Sequence, residues 1–351
     1  LEPLLAVRDL IVEVPAAGGF APAVDGISFL LGPGEALAVV GESGCGKTLA
    51  ARALLGLSPE VARVRGSIRL RGRELIGSKE EDWRRVRGRE ISLVFQEPGA
   101  AFDPVATVGS QIVEAVRAHR KLDRRAAREL ARERLHEVGF PDPDRGMEEY
   151  PHRLSGGLKQ RAFLAIALAS DPAVLVADEP TTALDATVAA QVLELLDRLR
   201  GERGLALVLI SHDLGVVARH ADRVMVMYAG RVVEEATTRE LFRDPLHPYT
   251  RALLASRPRL FANGAVRPTR FDAIPGAVPD LASRTEERCA FAPRCPERFE
   301  PCEQHEPPLF AAGAGVARCF LYQPDTRRGT NGRDTGPGTA RRREGDSRQD
   351  R

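Results

Sequence analysis

The stretch Gly41-Glu42-Ser43-Gly44-Cys45-Gly46-Lys47-Thr48 decides how the chain is read. It follows the apolar run Ala36-Leu37-Ala38-Val39-Val40 and precedes a helical pattern over residues 48–57. Strand, glycine-rich turn and helix, in that order, form the context in which G-x-x-x-x-G-K-[ST] binds phosphate. The glycines let backbone N–H groups turn inward around anionic oxygens, and the helix presents its positive end to the same anion. Lys47 supplies a point charge for the β- and γ-phosphates of a nucleoside triphosphate, and the Thr48 hydroxyl is placed to ligate Mg2+. An ordinary glycine-rich turn is the competing reading, and the apolar strand before it argues against that. Cys45 reads as a small filler of the loop and not as a nucleophile.

Working outward, Val174-Leu175-Val176-Ala177-Asp178-Glu179 is a second apolar strand that ends on two carboxylates. Asp178 can hold the Mg2+ shell through water, and Glu179 can polarise an attacking water as general base. An acidic pair after a strand is common, so this motif gains its weight from the first. Further strands are read at residues 4–14 and 24–31, separated by a Gly/Pro/Ala loop, and at 66–76 with Gly72 at a turn. Others are read at 91–95, 205–210 and 223–228, while 79–90 reads as a charged stretch. Residues 107–139 carry a helical pattern with Arg and Glu on an exposed face, an inserted helical layer. Val188, Val192, Leu195, Leu196 and Leu199 recur at helical spacing, with Gly201 and Gly204 ending that helix. Alternating strands and helices with continuous apolar strands predict a parallel α/β sheet covered on both faces.

Leu154-Ser155-Gly156-Gly157-Leu158-Lys159-Gln160-Arg161 adds a second anion site far along the chain from the first. Ser155 is a good helix N-cap, and Gly156 and Gly157 permit close backbone approach. One chain has no need of two γ-phosphate sites, but two chains facing head-to-tail would use both. Over roughly residues 4–240 the sequence resembles the ABC ATPase family, whose signature is LSGGQ-like. The Leu158-Lys159 variant is similar to that of peptide importers. The resemblance implies a P-loop (RecA-like) α/β core with an antiparallel β subdomain and a helical subdomain at about 97–170, together spanning 1–240. It also implies roles for three further residues. Gln96 would contact Mg2+ and relay to membrane subunits, Asp185 would belong to the dimer-facing loop, and His212 would contact the γ-phosphate. The aromatic that stacks on adenine in the family is missing: Val14 aligns with it, and Phe20 lies close by. His119 and His220 read as ordinary surface or capping residues.

The composition is that of a globular protein, with 351 residues, 43% apolar and 28% charged, and a net charge of +2 too small to argue for nucleic acid. No apolar run approaches the roughly 18–20 residues that span a bilayer, so the chain is expected to be soluble, with any membrane role carried by partners. Its first residues do not read as a secretory signal, and it begins without Met, as a trimmed chain would.

Beyond residue 241 proline becomes frequent and periodicity fades. His247-Pro248-Tyr249-Thr250-Arg251-Ala252-Leu253-Leu254 resembles the start of the C-terminal extension of oligopeptide/dipeptide and nickel importer ATPases, here 241–325. Four of the five cysteines, Cys289, Cys295, Cys302 and Cys319, crowd into it. Disulfides are disfavoured where ATP is used, in the reducing cytosol. Four thiolates suit an iron–sulfur centre or zinc, although zinc prefers closer cysteine pairs, and His305 is a less suitable ligand. Four unmetallated thiols are a further reading. The resemblance implies a 4Fe–4S cluster. Residues 326–351, Arg- and Gly-rich, are expected to be disordered.

As an expectation, then, the chain is an ATPase that energises an importer of di- or oligopeptides, with nickel or another small solute as the alternative cargo. Its partners would be a related ATPase in a heterodimer, two transmembrane permeases and, indirectly, an extracytoplasmic solute-binding protein. It would sit at the cytoplasmic face of the membrane and bind no nucleic acid. A soluble ABC ATPase acting on DNA or ribosomes would carry two cassettes or a long coiled-coil insertion. A non-catalytic regulatory subunit would not need both Glu179 and His212.

Overall fold

Two sheets organise the described residues, 2–96, 98–182, 184–256, 274–281 and 287–324 of the computed structural model. The tail expected to be disordered, Glu97 and Ala183 lie outside them.

The smaller sheet is antiparallel. Strands β1 (Leu5–Ala16) and β2 (Gly19–Leu31) pair along most of their length, and β4 (Arg63–Leu70) and β5 (Arg73–Glu74) complete the order β2-β1-β4-β5. The sequence places a long loop between the first two strands. The pairing instead continues to Ala16 and Gly19, leaving a tight turn in which Gly18 takes φ 94°.

The larger sheet has the order β11-β12-β10-β9-β3-β8-β7-β6. Its centre is parallel: β3 (Ala36–Val40), β6 (Ile91–Val94), β7 (Val174–Asp178), β8 (Ala206–Ile210) and β9 (Arg223–Tyr228). Side chains alternate between faces along a strand, and here both faces are covered. Leu37, Val39, Val174 and Val176 pack with the antiparallel sheet and with helix α1 (Lys47–Ala53). Leu175, Ala177, Leu207 and Leu209 pack with the helical layer on the other side. That layer comprises α3 (Val108–His119), α4 (Arg124–Glu137), α5 (Pro143–Glu148), α6 (Gly156–Ala167) and the long α7 (Ala186–Arg203). The charged stretch at 79–90 contains helix α2 (Glu80–Val86), anchored by buried Trp83 and Val86. Gly201 lies within α7, and Gly204 alone ends it, in the left-handed conformation.

The C-terminal extension is joined to this sheet rather than tethered beside it. After α8 (Leu214–His220), β10 (Arg231–Thr237) runs antiparallel to β9 and is followed by α9 (Thr238–Arg243) and α10 (Pro248–Ala255). The short helix α11 (Glu300–Gln304) precedes the hairpin of β11 (Phe310–Ala312) and β12 (Gly315–Ala317), and β12 pairs with β10 through Glu234↔Ala317. Faded periodicity hides this hairpin in the sequence, because its strands have three residues each.

Glu234 is fully buried, and its carboxylate accepts the N–H groups of Leu246 (2.9 Å) and His247 (2.7 Å) at the entry to α10. His247 caps that helix by accepting the Tyr249 N–H at Nδ1 (3.0 Å), and burial pushes its imidazole down to about 3, so it stays neutral. Replacing Glu234 by Leu would leave two buried donors without acceptors, each worth about 1–3 kcal/mol. Chemical denaturation of Glu234→Leu should therefore show a loss of about 2–4 kcal/mol, with Glu234→Gln losing less.

Candidate nucleotide site

The ends of β3, β6, β7 and β8 converge on one cavity of about 610 Å³. Gly41, Ser43, Gly44, Gly46, Lys47 and Thr48 line it from the glycine-rich loop, and Gln96, Glu179, Thr182 and His212 line it from the exits of the other strands. Val14, Ala23, Leu49 and Leu281 add an apolar border. Most residues of the phosphate loop thus meet Glu179, Gln96 and His212 in one place, although they span about half of the chain.

The loop needs its glycines for two reasons. Gly44 and Gly46 take φ 79° and 101°, where side chains are strained. A Cβ on Gly41 would lie 2.2 Å from the Met227 carbonyl oxygen, and one on Gly46 would lie 2.5 Å from that of Ala23. Lys47 Nζ donates to the carbonyls of Gly41 (2.7 Å) and Glu42 (2.9 Å), closing the loop on itself. Cys45 is buried behind it, and burial pushes its thiol up despite Lys47 nearby. It fills space and is not a nucleophile.

Asp178 is buried at the end of β7, and burial raises its carboxyl although the Thr48 hydroxyl bonds to it. Its Oδ1 atom has no hydrogen-bond partner. A buried, unpartnered carboxylate oxygen beside a threonine hydroxyl is the donor set a Mg2+ ion takes. These residues fit the metal expected there.

Glu179 follows with φ 50°, a left-handed backbone costly for a residue with a side chain. Its N–H is held by the Ile210 carbonyl (2.9 Å), which aims the side chain across the cavity. Oε2 accepts from Gln96 Nε2 (3.0 Å) and Thr182 Oγ1 (2.8 Å), and Oε1 lies 3.2 Å from His212 Nδ1. Burial pushes this carboxyl up, but the bonds from Thr182 and His212 outweigh it and hold the group below the usual range. It is a carboxylate at neutral pH. The sequence reading missed Thr182, whose only signal was its place three residues after Glu179.

Ser155, Gly156, Gly157 and Asp185 do not line this cavity. Ser155 caps α6 by accepting the Leu158 N–H (3.4 Å), and Asp185 caps α7 by accepting from Thr187 and Val188. Ser155, Gly156 and Asp185 are exposed. Gly157 lets α6 approach α7, since a Cβ there would lie 2.9 Å from Val188. Val14 lines the cavity, whereas Phe20 does not: the Arg63 guanidinium lies 3.7 Å over its ring. His220 binds Asp197 of α7 (2.6 Å) and is structural, and His119 packs against Gly88.

The four-thiol centre is not assembled. Cys289, Cys295 and Cys319 each lie within electrostatic reach of Cys302, so the four sit in one neighbourhood. Yet among the described residues no group of three or more His, Cys, Asp or Glu side chains is arranged to hold a metal ion. Cys289, Cys295 and Cys302 pack in clusters with Phe291, Phe299, Phe310 and Phe320, and burial pushes Cys289 up to about 12 and Cys319 up to about 11.

Against known proteins, residues 24–182 match the ABC transporter family and residues 233–302 match the oligopeptide/dipeptide transporter C-terminal region. The chain is 50% identical over 310 residues to the oligopeptide transport ATP-binding protein OppD of Mycobacterium tuberculosis, covering 88% of this chain and 50% of that protein. It therefore spans about half the length of that relative. It is 46% identical over 307 residues to AppD of Bacillus subtilis, covering 87% and 92%. Among solved structures it resembles the ATP-binding cassette MJ0796, a dimer in a post-hydrolysis state bound to ADP and Pi, with a TM-score of 0.61 and 23% identity over 67% of this chain and 99% of the other. That likeness shows the fold. Among the described residues no helix is long and apolar enough to cross a membrane.

The Gly46 geometry gives a direct test of the cradle. Gly46→Ala forces a Cβ against backbone and should strain the loop by about 1–3 kcal/mol. Calorimetric titration should show ATP affinity falling at least about tenfold.

Proposed function

The chain belongs to the ABC transporter family, and from that premise we propose that it is the ATP-hydrolysing subunit of an importer for di- or oligopeptides. One observation carries the reading: the phosphate loop and the ionised Glu179 line a single cavity, and the buried Asp178 carboxylate, with one unpartnered oxygen, meets the hydroxyl of Thr48 at its edge. The peptide cargo is supported by the C-terminal region that residues 233–302 match, and by relatives named as oligopeptide transport proteins.

In this reading Lys47 turns its ammonium from the loop carbonyls to the β- and γ-phosphates. Thr48, Asp178 and Gln96 would hold Mg2+, which would supply positive charge against the phosphates. Glu179 takes a proton from water, the water oxygen bonds to the γ-phosphorus, and the bond to the β-phosphate bridging oxygen breaks to leave ADP. His212 then swings from Glu179 to the γ-phosphate oxygens. Ser155, Gly156 and Gly157 serve the triphosphate held by another subunit, which accounts for the position of all three outside this chain's own cavity and for the exposure of Ser155 and Gly156, and Asp185 faces the same seam. ATP would close the pair because it binds the closed state better than the open one.

The closing pair would be this chain and a related, non-identical ATPase. It would move two permeases docked near Gln96 at the cytoplasmic face of the membrane, fed by an extracytoplasmic binding protein. In domain terms, residues 1–240 would be the motor, with its helical subdomain at about 97–170, and 241–325 the extension. The crowding of four thiols supports a 4Fe–4S centre in that extension, but the ligand shell is not formed, and no step of the cycle runs through one.

Two experiments follow. Glu179→Gln in the assembled transporter should lower steady-state hydrolysis at least about a hundredfold while prolonging the ATP-bound pair, as loss of a general base does. Retained turnover would remove Glu179 from that role. For the extension, Cys295→Ser should reduce the iron content and visible absorbance of the anaerobically purified chain. Equal iron in both proteins would sink the cluster.

A further inference from the structure

The phosphate loop contains one acid, Glu42, and a carboxylate there would oppose a triphosphate. The structure keeps it away. Gly41, Ser43 and Gly44 line the cavity, but Glu42 does not. Its carboxylate is gripped by Arg294 of the C-terminal extension, through Nη1 (2.7 Å) and Nη2 (3.0 Å). Arg294 is itself nearly fully buried and fixed from several sides. Nε donates to the Pro275 carbonyl (2.8 Å), Nη2 also reaches that of Ile274 (3.3 Å), and Nη1 reaches Tyr228 Oη (3.3 Å). A second contact from the extension holds the backbone of the same residue, for the Glu42 N–H donates to Tyr249 Oη (2.9 Å). Glu42 also offers its carbonyl to Lys47, so the side chain, N–H and C=O of this one residue are all engaged.

We propose that Arg294 is a positioning residue for ATP: it neutralises Glu42 and turns its carboxylate out of the phosphate cradle, making the C-terminal extension a working part of the nucleotide site. A bidentate guanidinium–carboxylate pair with a buried arginine sets direction as well as charge. Arg294 does not touch the triphosphate; it acts through Glu42. Leu281, also from the extension, borders the same cavity. The inference rests on the ATP-binding reading above and asks something further of it.

The test uses the purified full chain with ATP and Mg2+, read by calorimetry and by thermal melting. Wild-type chain that binds ATP, and Lys47→Ala that does not, establish the site. If wild type fails to bind, the functional reading fails before Arg294 is at issue. Arg294→Gln frees the carboxylate and should weaken ATP binding about tenfold, with a larger loss at low salt. Adding Glu42→Gln to Arg294→Gln should bring affinity back to within about threefold of wild type, because the opposing charge is gone. ADP, with less charge to repel, should be weakened less than ATP. Should Arg294→Gln fold poorly, Arg294→Lys keeps the charge and should bind ATP between wild type and the Gln variant. Unchanged ATP affinity in Arg294→Gln would overturn the proposal. So would a loss that tracks the melting temperature and is not recovered by the second substitution, the behaviour of a mere strut.

Discussion

A triphosphate brings several negative charges to the edge of an apolar sheet, and the groups that meet that charge must be in place before it arrives. Everything else in the structure serves this. Five buried parallel strands deliver their carboxyl ends to one edge, and a loop that only glycine can follow turns there. Lys47 closes that loop by donating to its carbonyls, so the cradle is held in shape by the residue that, in the proposed cycle, would exchange those bonds for phosphate. Glu179 is likewise pre-aimed by a strained backbone and held by Gln96, Thr182 and His212.

How much of this is legible in the sequence depends on where the information lies. The loop, the acidic pair and the signature are local, and their spacing alone places them on strand ends and a helix start. Continuous apolar strands give away the parallel sheet, because two-sided burial leaves no alternation. The hairpin turn at Gly18 is missed because strand pairing, not local composition, carries β1 and β2 across the Gly/Ala stretch. Helix α2 is hidden by its charges, since two buried residues, Trp83 and Val86, suffice to dock it.

The C-terminal extension is where local reading fails most, and for a physical reason. Its order comes from contacts with the core: a short hairpin added to the edge of the main sheet, a buried carboxylate that holds the entry to α10, and aromatic packing of Tyr249 and Phe291 on Tyr228. None of these has a sequence period. The cysteines stand out by number, yet thiol count says little about geometry, and among the described residues these thiols do not converge as a ligand set. The most telling contact of the extension, Arg294 on Glu42, joins residues 252 positions apart.

The chain by itself leaves Ser155 and Gly156 exposed and away from its own cavity, an arrangement that makes sense when another subunit's nucleotide is their ligand. Distance between them can be measured in the assembled, ATP-loaded transporter, with Mn2+ in place of Mg2+ and a nitroxide at Arg153→Cys, beside the signature turn. The account expects two separations, a long one to the metal in this chain's own cradle and a short one to the metal across the seam, the short one vanishing after hydrolysis. A single long separation, unchanged by ATP, would contradict it.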